Sequence, residues 1–182
     1  QIGGLTCLPD GRLAACFHRG EVYTYNPKTK IWKLFADGLH EPLGIIAEDN
    51  HTLVVMQRPE LTRLRDTNGD GEADHYQTIS DDFGMTGNYH EFAFGPARDK
   101  DGNYYVGLNL ASSAASIRPE IRGEFRHYGI SREQFYKNHK AGSGRMYSAT
   151  PYRGWIMKVA PDGKTTPFAS GFRSPNGVNF DA

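Results

Sequence analysis

The stretch FADGLHEPLGI, at residues 35–45, recurs almost unchanged as FASGFRSPNGV, at residues 168–178. Both copies begin with Phe-Ala and place a glycine, a proline and a second glycine at the same intervals, before a β-branched residue. Glycine and proline at fixed places mark turns, so the chain uses one turn between strands more than once. The repeat therefore predicts a fold built from copies of one unit.

Hairpin patterns surround both copies of the repeat. Each has two apolar or alternating arms joined by turn residues, which is typical of a β-hairpin. One series of hairpins covers residues 5–17, 44–57 and 92–109 and begins again at 177, and a second series covers residues 21–35, 61–79 and 155–169. One hairpin of each series makes a four-stranded antiparallel meander of about 40–45 residues, which is the length of a propeller blade.

The sequence thus predicts an all-β fold, a partial β-propeller domain with about three blades over residues 1–182. We expect the blades at about 1–39, 40–82 and 83–172, and the start of a fourth at 173–182. The third blade carries an insertion at 110–154 that lacks strand alternation and contains a short helix at 131–140, with Ser131 as its N-cap. Because a propeller closes to remove exposed edges, we expect the remaining blades outside this chain or on another one.

The composition excludes two classes of partner. The 21 basic and 21 acidic residues balance to a net charge of zero, which gives no electrostatic basis for binding nucleic acid or an anionic membrane surface. No apolar run approaches the ~20 residues of a membrane span, so we expect no membrane contact within this segment. The sequence shows no signal peptide, which indicates that one was removed or that the sequence begins inside a larger protein.

Two cysteines, Cys7 and Cys16, flank a turn at residues 9–11. A tight turn would make them diagonal neighbours on one face of the sheet, where a disulfide is geometrically possible. The favoured interpretation is two small buried hydrophobic side chains.

Polar residues concentrate in the connections on one side of the predicted meander. The turns inside the hairpins face one end of the disc, called the bottom here, and the other connections, including those between blades, face the top. The top connections contain seven candidates for substrate or cofactor binding: His40, Glu41, Arg58, Asn88, His90, Arg173 and Asn176. We expect them as a set to converge on a pocket above the central channel, with the insertion as a lid, although for each residue alone a polar loop residue facing water is the better explanation.

An acidic stretch lies in a bottom turn. Oxygen-bearing side chains recur at every second position over residues 66–74, namely Asp66, Asn68, Asp70, Glu72 and Asp74. This spacing with a glycine at 71 is typical of a loop that wraps one Ca²⁺ ion, with Glu72 contributing its carbonyl. Gln77 stands where an EF-hand loop has its bidentate glutamate. The pattern predicts a structural calcium hairpin, and the alternative is an ordinary polar turn.

Three further stretches resemble a known family: YHEFAFGPARDKDGNYYVGLN at 89–109, GWIMKVAPDGK at 154–164 and GFRSPNGV at 171–178. They are similar to the middle of the soluble pyrroloquinoline-quinone sugar dehydrogenases, which are six-bladed propellers. RPELTRLRDTNGDGEADHY at 58–76 and PYRGW at 151–155 resemble still more closely the large sorbosone-dehydrogenase-like membrane-bound dehydrogenases, which often end in a c-type haem domain.

The resemblance implies a quinone-dependent dehydrogenase that oxidises a sugar or another alcohol or aldehyde. It places His90 near the family's catalytic base and Arg173 on its quinone-contacting arginine. A histidine is the natural base near neutral pH, and the arginine fork suits an acidic quinone. Ser174 and Asn176 stand where the family has Asn and Gln. The resemblance also implies pyrroloquinoline quinone as cofactor, a secreted or periplasmic location, and a c-type haem domain or further blades as partners outside this chain.

Two other functions fit the same pattern. The stretch SPNGV at 174–178 also resembles the gluconolactonase-type propellers, which implies a metal-dependent hydrolase with Asn176 as a metal ligand, and Glu41 and Asn88 could join it in this chain. A non-catalytic NHL-like propeller would present its top end to a glycan or a protein. The first two functions imply a small-molecule substrate such as a sugar or an alcohol, and the third implies a glycan or a protein as partner.

Overall fold

The computed structural model of the protein describes residues 1–115, 118–126, 129–138 and 145–180. The first antiparallel sheet contains β1 (Ile2–Cys7), β2 (Leu13–Phe17), β3 (Val22–Asn26) and β4 (Ile31–Ala36). The second contains β5 (Ile45–Ala47), β6 (Thr52–Met56), β7 (Leu61–Arg65) and β8 (His75–Ser80). In both sheets the strands follow one another in chain order, which is the meander of a propeller blade.

The third four-stranded sheet contains β10 (Ala93–Arg98), β11 (Tyr104–Leu108), β15 (Trp155–Val159) and β16 (Thr165–Ser170). Before it lies β9 (Met85–Thr86). The segment between β11 and β15 contains β12 (Ala111–Ser112), β13 (Glu120–Arg122), α1 (Arg132–Asn138) and β14 (Met146–Tyr147). The fold is therefore the predicted one, all-β with four-stranded antiparallel blades and a partly helical insertion.

Two apolar cores lie between consecutive sheets, and β6 serves both. Its Leu53 and Val55 belong to the core shared with the first sheet, and its Val54 and Met56 belong to the core shared with the third. Successive side chains of a strand point to opposite faces, so a strand with a sheet on each side is apolar throughout. This packing explains why the sequence of β6, TLVVM, does not alternate and is buried at every position.

The second glycine of the repeat marks where innermost strands approach one another. A Cβ atom on Gly44 would overlap the carbonyl oxygen of Gly95 in β10, and a Cβ on Gly4 in β1 would lie 2.8 Å from the Cα of Gly44. Only glycine allows backbones to come this close. In the second copy of the repeat, Gly177 has no such neighbour, and no described residue after Ser170 is in a strand.

A charged cluster joins the second and third sheets at the bottom end. Arg63 of β7 donates from Nε to Glu48 Oε2 over 2.7 Å and from Nη2 to the Tyr104 hydroxyl over 3.0 Å. The Tyr104 hydroxyl in turn donates to Glu48 Oε1. Burial raises the pKa of Glu48, but the hydrogen bonds from Arg63 and Tyr104 outweigh it, so the pKa lies below its ordinary value. The three side chains thus provide hydrogen-bond partners for one another across the boundary between the two blades.

The insertion packs around its own small core. Phe135 of α1 is fully buried, with Phe125 and Tyr147 at ring-centroid distances of 5.2 and 5.0 Å. The Ser131 hydroxyl accepts a 3.2 Å hydrogen bond from the Gln134 amide, which confirms Ser131 as the N-cap. The predicted last two residues of the helix, 139 and 140, lie outside the described residues.

The cysteine prediction was wrong in its geometry. Cys7 pairs with Leu13 and Cys16 pairs with Gly4, so the two cysteines point to opposite faces of the sheet and both are free. Cys16 is a buried small side chain, as predicted, and burial raises the pKa of its thiol to about 11. Cys7 is exposed.

None of the helices among the described residues is long and apolar enough to cross a membrane.

Candidate functional site

His90 lies in the link between the second and third sheets, residues 81–92. Its amide donates a 3.0 Å hydrogen bond to Asn88 Oδ1, and its ring Nδ1 is 3.1 Å from the carbonyl oxygen of Leu110. A carbonyl oxygen only accepts, so this contact favours the tautomer with the proton on Nδ1. The second ring nitrogen, Nε2, then has a free lone pair, which is the state of a general base.

Leu110 also connects His90 to Arg173. The Leu110 amide donates a 3.1 Å hydrogen bond to the Arg173 carbonyl oxygen, so both predicted catalytic residues contact the same residue at the top end. A cavity of about 330 Å³ opens beside it, and its lining residues are Leu110, Arg153, Gly154, Trp155, Gly171, Phe172 and Arg173. Its volume is at the lower end of the range for small-molecule sites.

Arg58 joins two of the top connections to one another. It is 8% exposed, and its Nη1 donates to Glu41 Oε2 over 3.2 Å while its Nη2 donates to the carbonyl oxygen of Asn88. Glu41 has φ of 50°, a left-handed conformation that is uncommon for a residue with a Cβ atom. Through its bonds to Glu41 and Asn88, Arg58 thus connects the link before β5 to the link that carries His90.

Asn88 is fully buried between this link and the insertion. Its Nδ2 donates to the Ser112 carbonyl oxygen over 2.8 Å, and its Oδ1 accepts from the Ser112 amide over 3.2 Å. In this structure Asn88 therefore holds the His90 link in place and does not face the cavity, contrary to the prediction from the sequence.

His40 and Asn176 have exposed side chains at the top end. The His40 backbone is tied to the next connection, since its amide donates to Gln57 Oε1 and its carbonyl accepts from the Arg58 amide. Within the described parts of the chain, no hydrogen bond joins either side chain to the group of Glu41, Arg58 and His90. The structure thus brings together five of the seven candidates, with His40 and Asn176 at the periphery.

Sequence reasoning missed a second histidine at the site. His18, in the connection between β2 and β3, lies 6.2 Å from the Phe92 ring, and the His90 ring lies 5.8 Å from the same phenyl ring. The signal was present, since His18 occupies a top connection of the first blade. The Leu110 carbonyl, by contrast, is a backbone group in a segment with no pattern, so nothing in the sequence could have indicated it.

The acidic turn between β7 and β8 lies at the opposite, bottom end. Asp66 is buried, and its two oxygens accept hydrogen bonds from the Gly69 and Gly71 amides and from the His51 ring. Burial raises the pKa of Asp66, but these hydrogen bonds, led by that of His51, outweigh it and leave the pKa below its usual value. The carboxyl group stays ionised, and the turn wraps around it through the hydrogen bonds from the Gly69 and Gly71 amides.

Three of the four remaining predicted calcium ligands also accept hydrogen bonds from within the turn. Asn68 accepts from the Asp70 amide, Asp70 accepts from the Glu72 amide, and Asp74 accepts from Thr67. Lys33 of the first sheet lies 3.6 Å from Glu72. Hard oxygen donors of this kind suit Ca²⁺ chemically. Over the described residues, however, no group of three or more His, Cys, Asp or Glu side chains is arranged to hold a metal ion.

The sequence matches one protein family. The model of the family described as Domain of unknown function (DUF7133) matches residues 29–168, which is most of the chain. The chain belongs to this family. No curated protein sequence gives a significant match.

Solved structures establish the fold. A protein of Thermus thermophilus provisionally described as an oxidoreductase (glucose dehydrogenase) matches with a TM-score of 0.55 and 15% identity, over 90% of this chain and 45% of its own. A luciferin-regenerating enzyme matches with a TM-score of 0.57 and 12% identity, over 94% and 46%. A protein provisionally described as a gluconolactonase matches with a TM-score of 0.53 and 14% identity, over 93% and 48%. At these identities the likeness is one of fold, and the chain spans a little under half of each structure.

Proposed function

We propose that this member of the DUF7133 family forms part of a propeller enzyme that oxidises a sugar or another small alcohol or aldehyde, with His90 as the base. The observation that carries the proposal is the 3.1 Å contact between His90 Nδ1 and the Leu110 carbonyl oxygen. It orients the imidazole and leaves Nε2 to accept a proton. Removal of a hydroxyl proton is the step that alcohol oxidation requires of the protein.

Arg173 supports the choice of an anionic cofactor. Its exposed side chain borders a cavity that Trp155 and Phe172 also line, so a cation and two aromatic rings lie at one opening. A guanidinium binds carboxylates through paired hydrogen bonds, and aromatic rings stack on flat ligands. This set of groups fits pyrroloquinoline quinone, which carries carboxylates on a flat ring system and, when bound, accepts the hydride. Arg173 would hold the carboxylates, and His90 would take the proton.

The test is reconstitution of the full-length protein with pyrroloquinoline quinone and Ca²⁺. We expect reduction of an artificial electron acceptor in the presence of sugars or small alcohols, and a loss on the order of 10²–10⁴-fold in kcat for His90→Gln. The control is His75→Gln, since His75 is an exposed histidine of β8 at the bottom end. Activity that is unchanged in His90→Gln would overturn the proposed role of His90.

Lactone hydrolysis is the second candidate, because the same base could activate water and the same Arg173 could stabilise an oxyanion. A metal-dependent version would use Glu41, Asn88 and Asn176. In this structure the Glu41 carboxylate bonds to Arg58 and the Asn88 side chain bonds to Ser112, so these donors do not fit a metal ion as they stand. Hydrolysis of aldonolactones without added quinone, abolished in His90→Gln, would favour this candidate over the dehydrogenase.

We also propose that the acidic turn at residues 66–74 binds Ca²⁺ as a structural ion. The support is the alternating set of oxygen donors together with an ionised, buried Asp66 at its centre. Binding would replace the hydrogen bonds within the turn by bonds to the ion.

A further inference from the structure

The motif PYRGW places an arginine inside the protein. Arg153, immediately before β15, is 2% exposed. Its Nε donates to the Gly84 carbonyl oxygen over 2.8 Å, and its Nη1 lies 3.3 and 3.4 Å from the carbonyl oxygens of Glu91 and Phe92. All three acceptors belong to the backbone around His90.

These contacts tie the two ends of the His90 link together. Gly84 lies near the beginning of the link, whereas Glu91 and Phe92 directly follow His90. A guanidinium is planar and its donors have a fixed geometry, so one side chain that binds both ends also sets the distance between them. The ring of Phe83 lies under the same guanidinium, with its centroid 5.5 Å from Cζ. The side chain is thereby held in one orientation.

Glu91 supplies the opposite charge in the same buried region. It is fully buried, and its Oε2 accepts a 2.6 Å hydrogen bond from the Thr86 amide, again within the link. Its Oε1 and the Nη2 of Arg153 have no partner among the described residues. Burial lowers the pKa of Arg153 to about 10, while the charge of Glu91 opposes this, so the guanidinium remains charged at neutral pH.

We propose that Arg153 is the positioning residue of the top site, which holds the imidazole of His90 on the Leu110 carbonyl by fixing the backbone on both sides of it. The proposal rests on the proposed role of His90 as a base. It assigns to the PYRGW motif a task at the site that the sequence did not indicate. Arg153 borders the cavity but is 2% exposed, and its hydrogen bonds go to backbone carbonyl oxygens of the His90 link, so we assign it to positioning and not to substrate binding.

The first test is spectroscopic and needs no substrate. Long-range ¹H–¹⁵N spectra of the imidazole should show His90 in a single tautomer, with the proton on Nδ1. In Arg153→Lys, which keeps the charge but loses the fork, we expect the second tautomer to appear. The matched control is Arg122→Lys. Arg122 is only partly buried and also donates to the same link, but it does so at Phe83 and has no hydrogen bond to the residues that follow His90 among the described contacts. If Arg153 had a purely structural role, the second tautomer of His90 would appear to the same extent in both variants. That result would overturn the proposal.

A second measurement keeps the test valid if Arg153→Lys fails to fold. In the unchanged protein, the Nε–H of Arg153 should exchange slowly with solvent, because it is buried and donates to the Gly84 carbonyl oxygen. A mixed tautomer of His90, or an Arg153 Nε–H that exchanges rapidly, also overturns the proposal.

Kinetics separate this proposal from the proposed function. Once a substrate is found, Arg153→Lys should lower kcat by on the order of 10²-fold with little change in KM, because the base is misplaced while the binding surface is kept. If no substrate is turned over but the tautomer still depends on Arg153, the positioning role stands and the enzymatic proposal fails. If activity is present and Arg153→Lys leaves both tautomer and kcat unchanged, the positioning role fails alone.

Discussion

At the bottom end, Glu48, Arg63 and Tyr104 join the second and third sheets and complete one another's hydrogen bonds. At the top end, Arg58 and Arg153 join the connections around His90 but leave polar atoms unpaired. Five buried side-chain atoms have no partner among the described residues, and all belong to top connections: Arg58 Nε, Glu91 Oε1, Asn109 Oδ1, Thr150 Oγ1 and Arg153 Nη2.

This difference indicates a division of labour between the two ends. Buried polar groups without partners are rare in folded proteins, since each costs about 1–3 kcal/mol. Natural proteins tolerate such groups mainly where function requires them. The bottom cluster therefore joins the blades with its hydrogen bonds complete, whereas the top end keeps unpaired polar atoms in the connections around His90.

The largest effect on stability is expected from Glu48→Ala at the bottom. It removes the acceptor of Arg63, which is largely buried, and of Tyr104, which is fully buried, and we expect the free energy of unfolding to fall by about 3 kcal/mol. The measurement is urea unfolding. The control is Arg98→Ala, which removes a 3.7 Å ion pair to the same carboxylate from a largely exposed side chain and should cost less than about 1 kcal/mol. Equal losses in both variants would contradict the assignment of the cluster.

The same cluster makes stability depend on acid. The pKa of Glu48 is lowered on folding, so its contribution is complete above its ordinary value of 4.5 and is lost as the pH falls through the lower folded value. At pH values below about 4.5, we expect the urea concentration at the unfolding midpoint to decrease with falling pH. The decrease should be less steep in Glu48→Gln. Asp66, whose pKa is also lowered, adds to the loss in both proteins. Identical pH profiles of the two proteins would show that Glu48 is not the group responsible.

Calcium should increase the difference in stability between the two ends, because the proposed ion binds only at the bottom end. At 100-fold above Kd, an ion that binds the folded state alone adds about 2.7 kcal/mol. We expect added Ca²⁺ to raise the melting temperature and a chelator to lower it, with both effects lost in Asp70→Asn. The matched control is Asp162→Asn, in the corresponding turn between β15 and β16 of the third sheet, which lacks the alternating oxygen pattern. A melting temperature that does not respond to calcium would remove the proposal of a calcium hairpin.

The smallest change in stability is expected at the top, from Glu41→Gly. Glycine relieves the left-handed strain at this position, which is worth about 1 kcal/mol or more, but it removes the ion pair to Arg58 and makes the unfolded chain more flexible. We expect these effects to offset one another to within about 1 kcal/mol in urea unfolding. If Glu41→Gly instead cost as much as Glu48→Ala, the contrast between the two ends would disappear.

Much of the fold was predictable from residues close together in the chain. Asp-Gly turns, alternating arms and the repeated Phe-Ala-x-Gly stretch are local signals, and each blade is a local meander. The error at Cys7 and Cys16 came from pairing register. The side-chain period of a strand is two, so one residue of shift places a side chain on the other face.

The site was predictable only in part. The sequence named His90, Glu41 and Arg58, because top connections follow from strand order. It did not identify Arg153, which lies in a stretch without periodicity, or show that Asn88 is buried. Those features depend on how the insertion folds back onto the link at residues 81–92.

The sequence by itself determined the repeating unit, since strand period and turn chemistry act over a few residues. It also determined which connections share an end of the molecule, because a meander alternates direction. The tertiary structure decided which polar groups meet and which remain unpaired, because those contacts join residues such as Gly84 and Arg153 that are distant in the chain. No local pattern records the distance between such residues, and only the packing of the insertion against the blades sets it.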